Sequence, residues 1–156
     1  MSNLQPINNM NIFKDIKKVL TSEDIANIED CFERLKNEKS DSNSMIKRNL
    51  SIAAAKLGNL EASDNKYQIA LAAMTKAFTE EIIKHEQSSK HMRRLSFIAI
   101  AYLCDPFDVI PDNDPNLGFA DDMYMFFLVL KEIKKLDAAT YERIAKSYNR
   151  LFDLEH

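Results

Sequence analysis

Two glycines, four prolines, two cysteines and no tryptophan occur in 156 residues. Sheets and hairpins draw on glycine for turns with positive φ, whereas helix bundles manage without it. So few glycines therefore favour helices before any periodicity is read. Two cysteines, Cys31 and Cys104, cannot build a disulfide framework, and a reducing, cytoplasmic setting is the simpler expectation. Both fall among apolar helical positions and are expected to be small buried hydrophobes. An excess of basic charge is missing too. The formal net charge is −3 and the pI about 5.6, whereas non-specific nucleic-acid binding needs a clearly basic face. No nucleic-acid partner is expected. The densest basic runs are Lys14, Lys17 and Lys18, then Lys90, Arg93 and Arg94, then Lys131, Lys134 and Lys135. All sit at helical spacing beside apolar positions and read as solvated helix faces. Long apolar runs are also lacking. The longest begin at Phe97 and Met123, far short of the roughly 20 residues that span a bilayer. No transmembrane segment is expected, and the polar start of the chain does not resemble a secretory signal. The closing Leu154, Glu155 and His156 read as an expression-tag remnant.

What is present is helical periodicity. Apolar residues make up 46% of the chain and charged residues 29%, an ordinary globular balance. The length suits one domain, expected over residues 1–153, since domains commonly run about 100–150 residues. The pattern yields about seven helices. Ile12, Phe13, Ile16 and Leu20 form the first stripe. Thr21 or Ser22 caps the second, with Glu23 and Asp24 suiting its dipole, and Ile25, Ile28, Phe32 and Leu35 form its apolar face. A third helix carries Ile46, Leu50, Ala53, Ala54 and Leu57 and stops at Gly58. Ser63 opens a long fourth, through Tyr67, Ala70, Leu71, Met74, Phe78 and Ile82, which Gln87, Ser88 and Ser89 break or bend. Met92, Leu95, Ile98, Ala99, Tyr102 and Leu103 belong to the fifth; Met123, Phe126, Phe127, Leu130 and Ile133 to the sixth. Asp137 caps a seventh holding Tyr141, Ile144, Tyr148 and Leu151. The fold class is therefore all-α, a single-domain bundle. Its fifth and sixth helices, apolar on nearly every side, are expected to be antiparallel and central.

The punctuation is concentrated between those two helices. Residues 102–122 read YLCDPFDVIPDNDPNLGFADD and contain three of the four prolines, one of the two glycines and six aspartates. As a folding element this is an elbow. Asp105 caps a single turn opened by Pro106, where a missing N–H costs nothing. Asp108 completes a capping box. Pro111 ends the turn, Pro115 stiffens the residues after it, and Gly118 permits a positive φ or a close backbone approach. Asp121 and Asp122 enter the first turn of the next helix, where its dipole favours carboxylates, and Asp121 is expected, like Asp105, to act as a cap.

The same stretch resembles the YkvA-like domain of unknown function, a small helical family found mainly in bacteria. The resemblance lies in Tyr102, Pro106, Asp108, Ile110, Pro111, Asp112, Pro115, Leu117, Gly118, Asp121 and Asp122, and covers about residues 95–130. Some relatives are membrane-associated, which implies a peripheral membrane protein as one reading. Asn113, Asp114 and Asn116 stand where relatives carry apolar residues, which argues against burying this loop in lipid.

Three functional classes are compatible with these residues. In the first, a rigid acidic surface made of Asp108, Asp112, Asp114, Asp121 and Asp122 docks on a basic partner. The protein is then a non-catalytic binding protein, for example an immunity or inhibitor protein against a bacterial toxin. In the second it is the YkvA-like membrane-peripheral protein. In the third the aspartates hold Ca²⁺ or Mg²⁺, hard cations that take oxygen ligands, and support a divalent-cation-dependent enzyme. Asp112, Asp114 and Asn116 imitate the first three ligand positions of a calcium loop, but Leu117 and Met123 stand where glycine and glutamate are needed. No other cofactor is expected. Catalysis has little else to rest on. His85 and His91 do not share a helical face, and Tyr102 ending an apolar helix reads as a core residue with its hydroxyl at the rim. No motif of a metalloprotease, a serine hydrolase, a phosphate loop or a cysteine zinc site occurs.

Overall fold

The computed structural model describes residues 12–37, 51–52, 66–104 and 120–147. Helix α1 (Ile12–Val19) buries Ile12, Phe13 and Ile16 on one side, and Leu20 follows them into the core. Helix α2 (Ser22–Asn37) begins with a reciprocal capping box. Asp24 donates its backbone N–H to Thr21 Oγ1 at 3.0 Å, and Thr21 donates its own to Asp24 Oδ2 at 3.1 Å. Two donors orphaned by the helix start are thereby satisfied, and Thr21 is the cap. The inner face of α2 is Ile28 and Phe32, with Ile25 and Leu35 packed partly buried beside them.

Helix α3 (Lys66–Phe78) passes into a π-helical segment, Thr79–Ile83, which the sequence did not announce. Lys84 N–H reaches back five residues to Thr79 O at 2.9 Å. Before it, Thr75 and Thr79 donate their hydroxyls to the carbonyls of Leu71 and Thr75, contacts that compete with the helical ladder and bend it. The wider turn is held from outside. Arg143 donates from Nε to Glu81 Oε2 at 2.8 Å and from Nη2 to Glu81 O at 3.0 Å. The next turn is held by Arg93, whose Nη2 donates to His85 O at 2.7 Å. The break expected at Gln87, Ser88 and Ser89 is a new helix start. Ser89 Oγ accepts the Met92 N–H at 3.1 Å and caps α4 (Lys90–Cys104).

Helix α5 (Ala120–Leu136) is buried at every position from 120 to 130. It packs against α1, α2, α3, α4 and α6 (Ala138–Ser147), and its most extensive partner is α4. The all-round apolar character of these two segments thus marked the centre of the molecule. Phe126 of α5 lies 4.9 Å from Phe78, and Phe127 lies 5.1 Å from Phe13, both tilted. One continuous apolar core joins all six helices.

The all-α fold stands, and no strand occurs among the described residues. Six α-helices are described against about seven expected. The third expected helix lies outside the described residues except for Ser51 and Ile52, which are helical. Ser63, Tyr148 and Leu151 also lie outside them.

The basic runs are not uniformly solvated faces. Lys14, Lys17, Lys18, Lys90, Lys131 and Lys135 are exposed, as expected. Arg93 and Arg94 are half-buried main-chain caps: Arg94 Nη2 donates to Lys36 O at 2.9 Å, at the carbonyl end of α2. Lys17 and Lys131 lie over the Phe127 ring, and Lys134 over Tyr141. Cys31 is half-buried rather than buried, with Arg34 Nη2 donating to its Sγ at 3.5 Å.

Asp137 caps α6 as expected. Its Oδ1 accepts the N–H groups of Ala139 (3.1 Å) and Thr140 (3.2 Å), and its Oδ2 accepts the Thr140 hydroxyl at 2.8 Å. The Thr140 hydroxyl first, and then the Thr140 N–H, hold its carboxyl below the usual carboxylate range. A depressed folded pKa means that this contribution is complete above the unfolded value, about 3.9. It is lost as pH falls from there through the folded value. Asp137→Ala should therefore cost about 0.5–2 kcal/mol at pH 7, and the gap to the native protein should narrow below pH ~4. Urea titrations at pH 7 and pH 3 check both points; an equal gap at the two would show that the carboxylate is not what caps the helix.

Candidate functional site

The last turn of α4 and the first turn of α5 border residues 105–119, and they meet through side chains. Tyr102, near the end of α4, donates its hydroxyl to Oδ2 of Asp121 at 3.0 Å, and both residues are buried. Asp122 is buried beside it, at 2% exposure. Asp121 is the second residue of α5, within the turn, so it is not the N-cap. Both carboxylates lie where the backbone N–H groups of a helix start present partial positive charge, which compensates part of the cost of removing them from water. Tyr102 adds a hydroxyl donor to a carboxylate, a stronger hydrogen bond than one between neutral groups.

Asp121 and Asp122 therefore do not belong to a solvent-facing acidic surface. Both are buried, and Asp121 meets Tyr102 at the junction of the two central helices. Of the other aspartates and loop residues singled out in the sequence, Asp105, Pro106, Asp108, Pro111, Asp112, Asp114, Pro115 and Gly118 lie outside the described residues. Tyr102 is a core residue as expected, but its hydroxyl is inside the protein, on Asp121.

The residues that sequence reasoning missed act at a distance. Arg143 and Glu81 are 62 positions apart, and Arg94 and Lys36 are 58 apart. Neither pair has a local signature. The spacing of Thr75 and Thr79 by four was the one available hint of a disturbed helix. A shallow open hollow lies between α2 and α5, about 150 Å³ in volume. Its apolar floor is Phe32 and Leu128, and its rim mixes Glu29, Glu33 and Glu132 with Lys131 and Lys135. Among the described residues no group of three or more His, Cys, Asp and Glu side chains is arranged to hold a metal ion. No helix among them is long and apolar enough to cross a membrane.

What this arrangement does is close a segment. The 15 residues from 105 to 119 leave α4 three positions after Tyr102 and rejoin α5 two positions before Asp121. A buried hydrogen bond between those two residues fixes the separation of the segment's ends. No curated protein and no solved structure matches the chain. Residues 93–128, from Arg93 in α4 to Leu128 in α5, match the model of a family described as a protein of unknown function, DUF1232, in keeping with the YkvA-like resemblance read over about residues 95–130.

Proposed function

We propose that this is a cytoplasmic, non-catalytic protein-binding protein in which α4 and α5 frame the acidic segment 105–119 as a recognition element for a basic partner. An immunity or inhibitor protein that neutralises a bacterial toxin is a role of this kind. The observation that supports the reading is the buried Tyr102–Asp121 hydrogen bond at the mouth of the segment. Tying both ends to the core lowers the ordering cost that a recognition loop otherwise meets on binding. The segment carries four aspartates and no lysine or arginine. Charge of one sign steers a basic partner and sets its register.

The elbow read from the sequence assigns no obvious cap to Asp112 or Asp114, so these two are the residues with which to separate recognition from folding. The double variant Asp112→Asn/Asp114→Asn should melt like the native protein. Its capture of partner in pull-downs should fall several-fold relative to native, with the larger difference at low salt, where attraction is least screened. Equal capture by both proteins at every salt concentration would remove the segment from recognition. A calcium- or magnesium-dependent rise in melting temperature that the double variant loses would instead make the segment a cation site, since a ligand of the native state alone stabilises it.

A further inference from the structure

Two buried polar atoms of α4, Nε of Arg93 and Oγ of Ser96, have no hydrogen-bond partner within the protein. Ser96 is completely buried. A buried serine inside a helix can return its hydroxyl to the carbonyl four residues back. Thr75 and Thr79 do so, at 2.9 and 2.8 Å, and Ser96 does not. Arg93 is half-buried in the first turn of α4. Its Nη2 donates to the carbonyls of His85 and Glu86, at 2.7 and 3.3 Å. Among the described residues no carboxylate lies at ion-pair distance from it. Arg143 differs, since Glu81 meets its charge at 2.8 Å.

We propose that Arg93 Nε and Ser96 Oγ hold a small monatomic anion, with chloride as its type, against the first two turns of α4. Buried donors are almost always satisfied, and an orphaned one is costly. Positions three apart on a helix are neighbours, with Cβ atoms about 5–6 Å apart, so a single ion can accept from both side chains. Arg93 Nε can only donate, and the serine hydroxyl has a hydrogen to give. A water that accepted both would bring two hydrogens needing acceptors of their own, whereas an anion brings none. Charge points the same way. A half-buried cation without a carboxylate is short of negative charge, and the start of α4 adds the partial positive charge of its N–H groups. The burial of Ser96 sets the size: an oxyanion carried by a larger molecule has no surface opening at this hydroxyl.

The test compares thermal melting of the intact protein in sodium chloride and in sodium gluconate at equal ionic strength, gluconate being too large for the site. The native protein should melt about 2–4 °C higher in about 0.2 M chloride than in gluconate, and bromide should act like chloride. Ser96→Ala should lose this increment while melting in gluconate at or above the native temperature, because a buried orphan hydroxyl is gone. Arg93→Lys, which keeps the charge and removes Nε, should lose the increment too. Lys90→Gln, which removes an exposed charge from the same turn, should keep it. Equal melting of the native protein in the two salts, or an increment that survives in Ser96→Ala, overturns the proposal. Ser96→Ala melting below native by the same amount in both salts would assign a water to the site and overturns it likewise.

Discussion

Phe126→Ala is expected to cost about 3–5 kcal/mol, the largest loss available from a single side chain here. Phe126 is completely buried, and its ring lies 4.9 Å from that of Phe78, the last residue of α3 before the π-helical segment. It stands on the helix that all the others pack against. Truncation removes apolar surface that folding had taken out of water, and it leaves a cavity between α3 and α5 whose walls are helices held at several other points. It also deletes a tilted ring pair, worth a further fraction of a kcal/mol to about 1.5 kcal/mol beyond its area. Phe126→Leu keeps much of the volume and should cost markedly less. Equilibrium unfolding in urea gives both values. Equal and small losses for the two variants would mean that α3 does not rest on α5 through this pair.

Tyr102→Phe should cost about 1.5–3 kcal/mol, the range for a hydrogen bond to a charged group. The substitution keeps the ring and its packing and removes only the hydroxyl that donates to Asp121 at 3.0 Å. The desolvation cost of the Asp121 carboxylate stays in place while one of its donors goes. This variant also reaches beyond stability. Tyr102 is 3% exposed, so a partner cannot touch it to any useful extent. If the α4–α5 junction frames the segment between them, Tyr102→Phe should weaken partner binding at temperatures where the variant remains fully folded. Asp112→Asn/Asp114→Asn should weaken binding without affecting the melt. Loss of stability with native-like binding would leave the junction as part of the core alone. An unchanged urea midpoint would show that the hydroxyl contributes nothing net.

The amino-acid sequence by itself determined what depends on neighbours a few positions apart. The all-α class came from the two glycines and the helical spacing of apolar residues. The cap at Asp137 was legible, and the first was narrowed to Thr21 or Ser22, because a cap bonds groups two or three residues away. The centrality of α5 was legible because a helix apolar on all sides has no face to offer water. Asp121 and Asp122 could be placed in the first turn of a helix for the same local reason. Their burial could not, since the hydroxyl that meets Asp121 comes from a residue 19 positions earlier. The tertiary structure alone decided which arginines would leave the solvated face for the carbonyl ends of other segments. In sequence Arg93 and Arg94 are indistinguishable from Lys90. What separates them is the placement of the turn after Ile83 and of the end of α2 beside α4, where main-chain carbonyls need donors. The π-helical turn belongs to the same class. Thr75 and Thr79 loosen the helix locally, but Arg143, brought in by α6, holds the widened turn at Glu81. Such contacts carry no periodicity and no fixed spacing, because they are set by where helices cross and not by how a single helix winds.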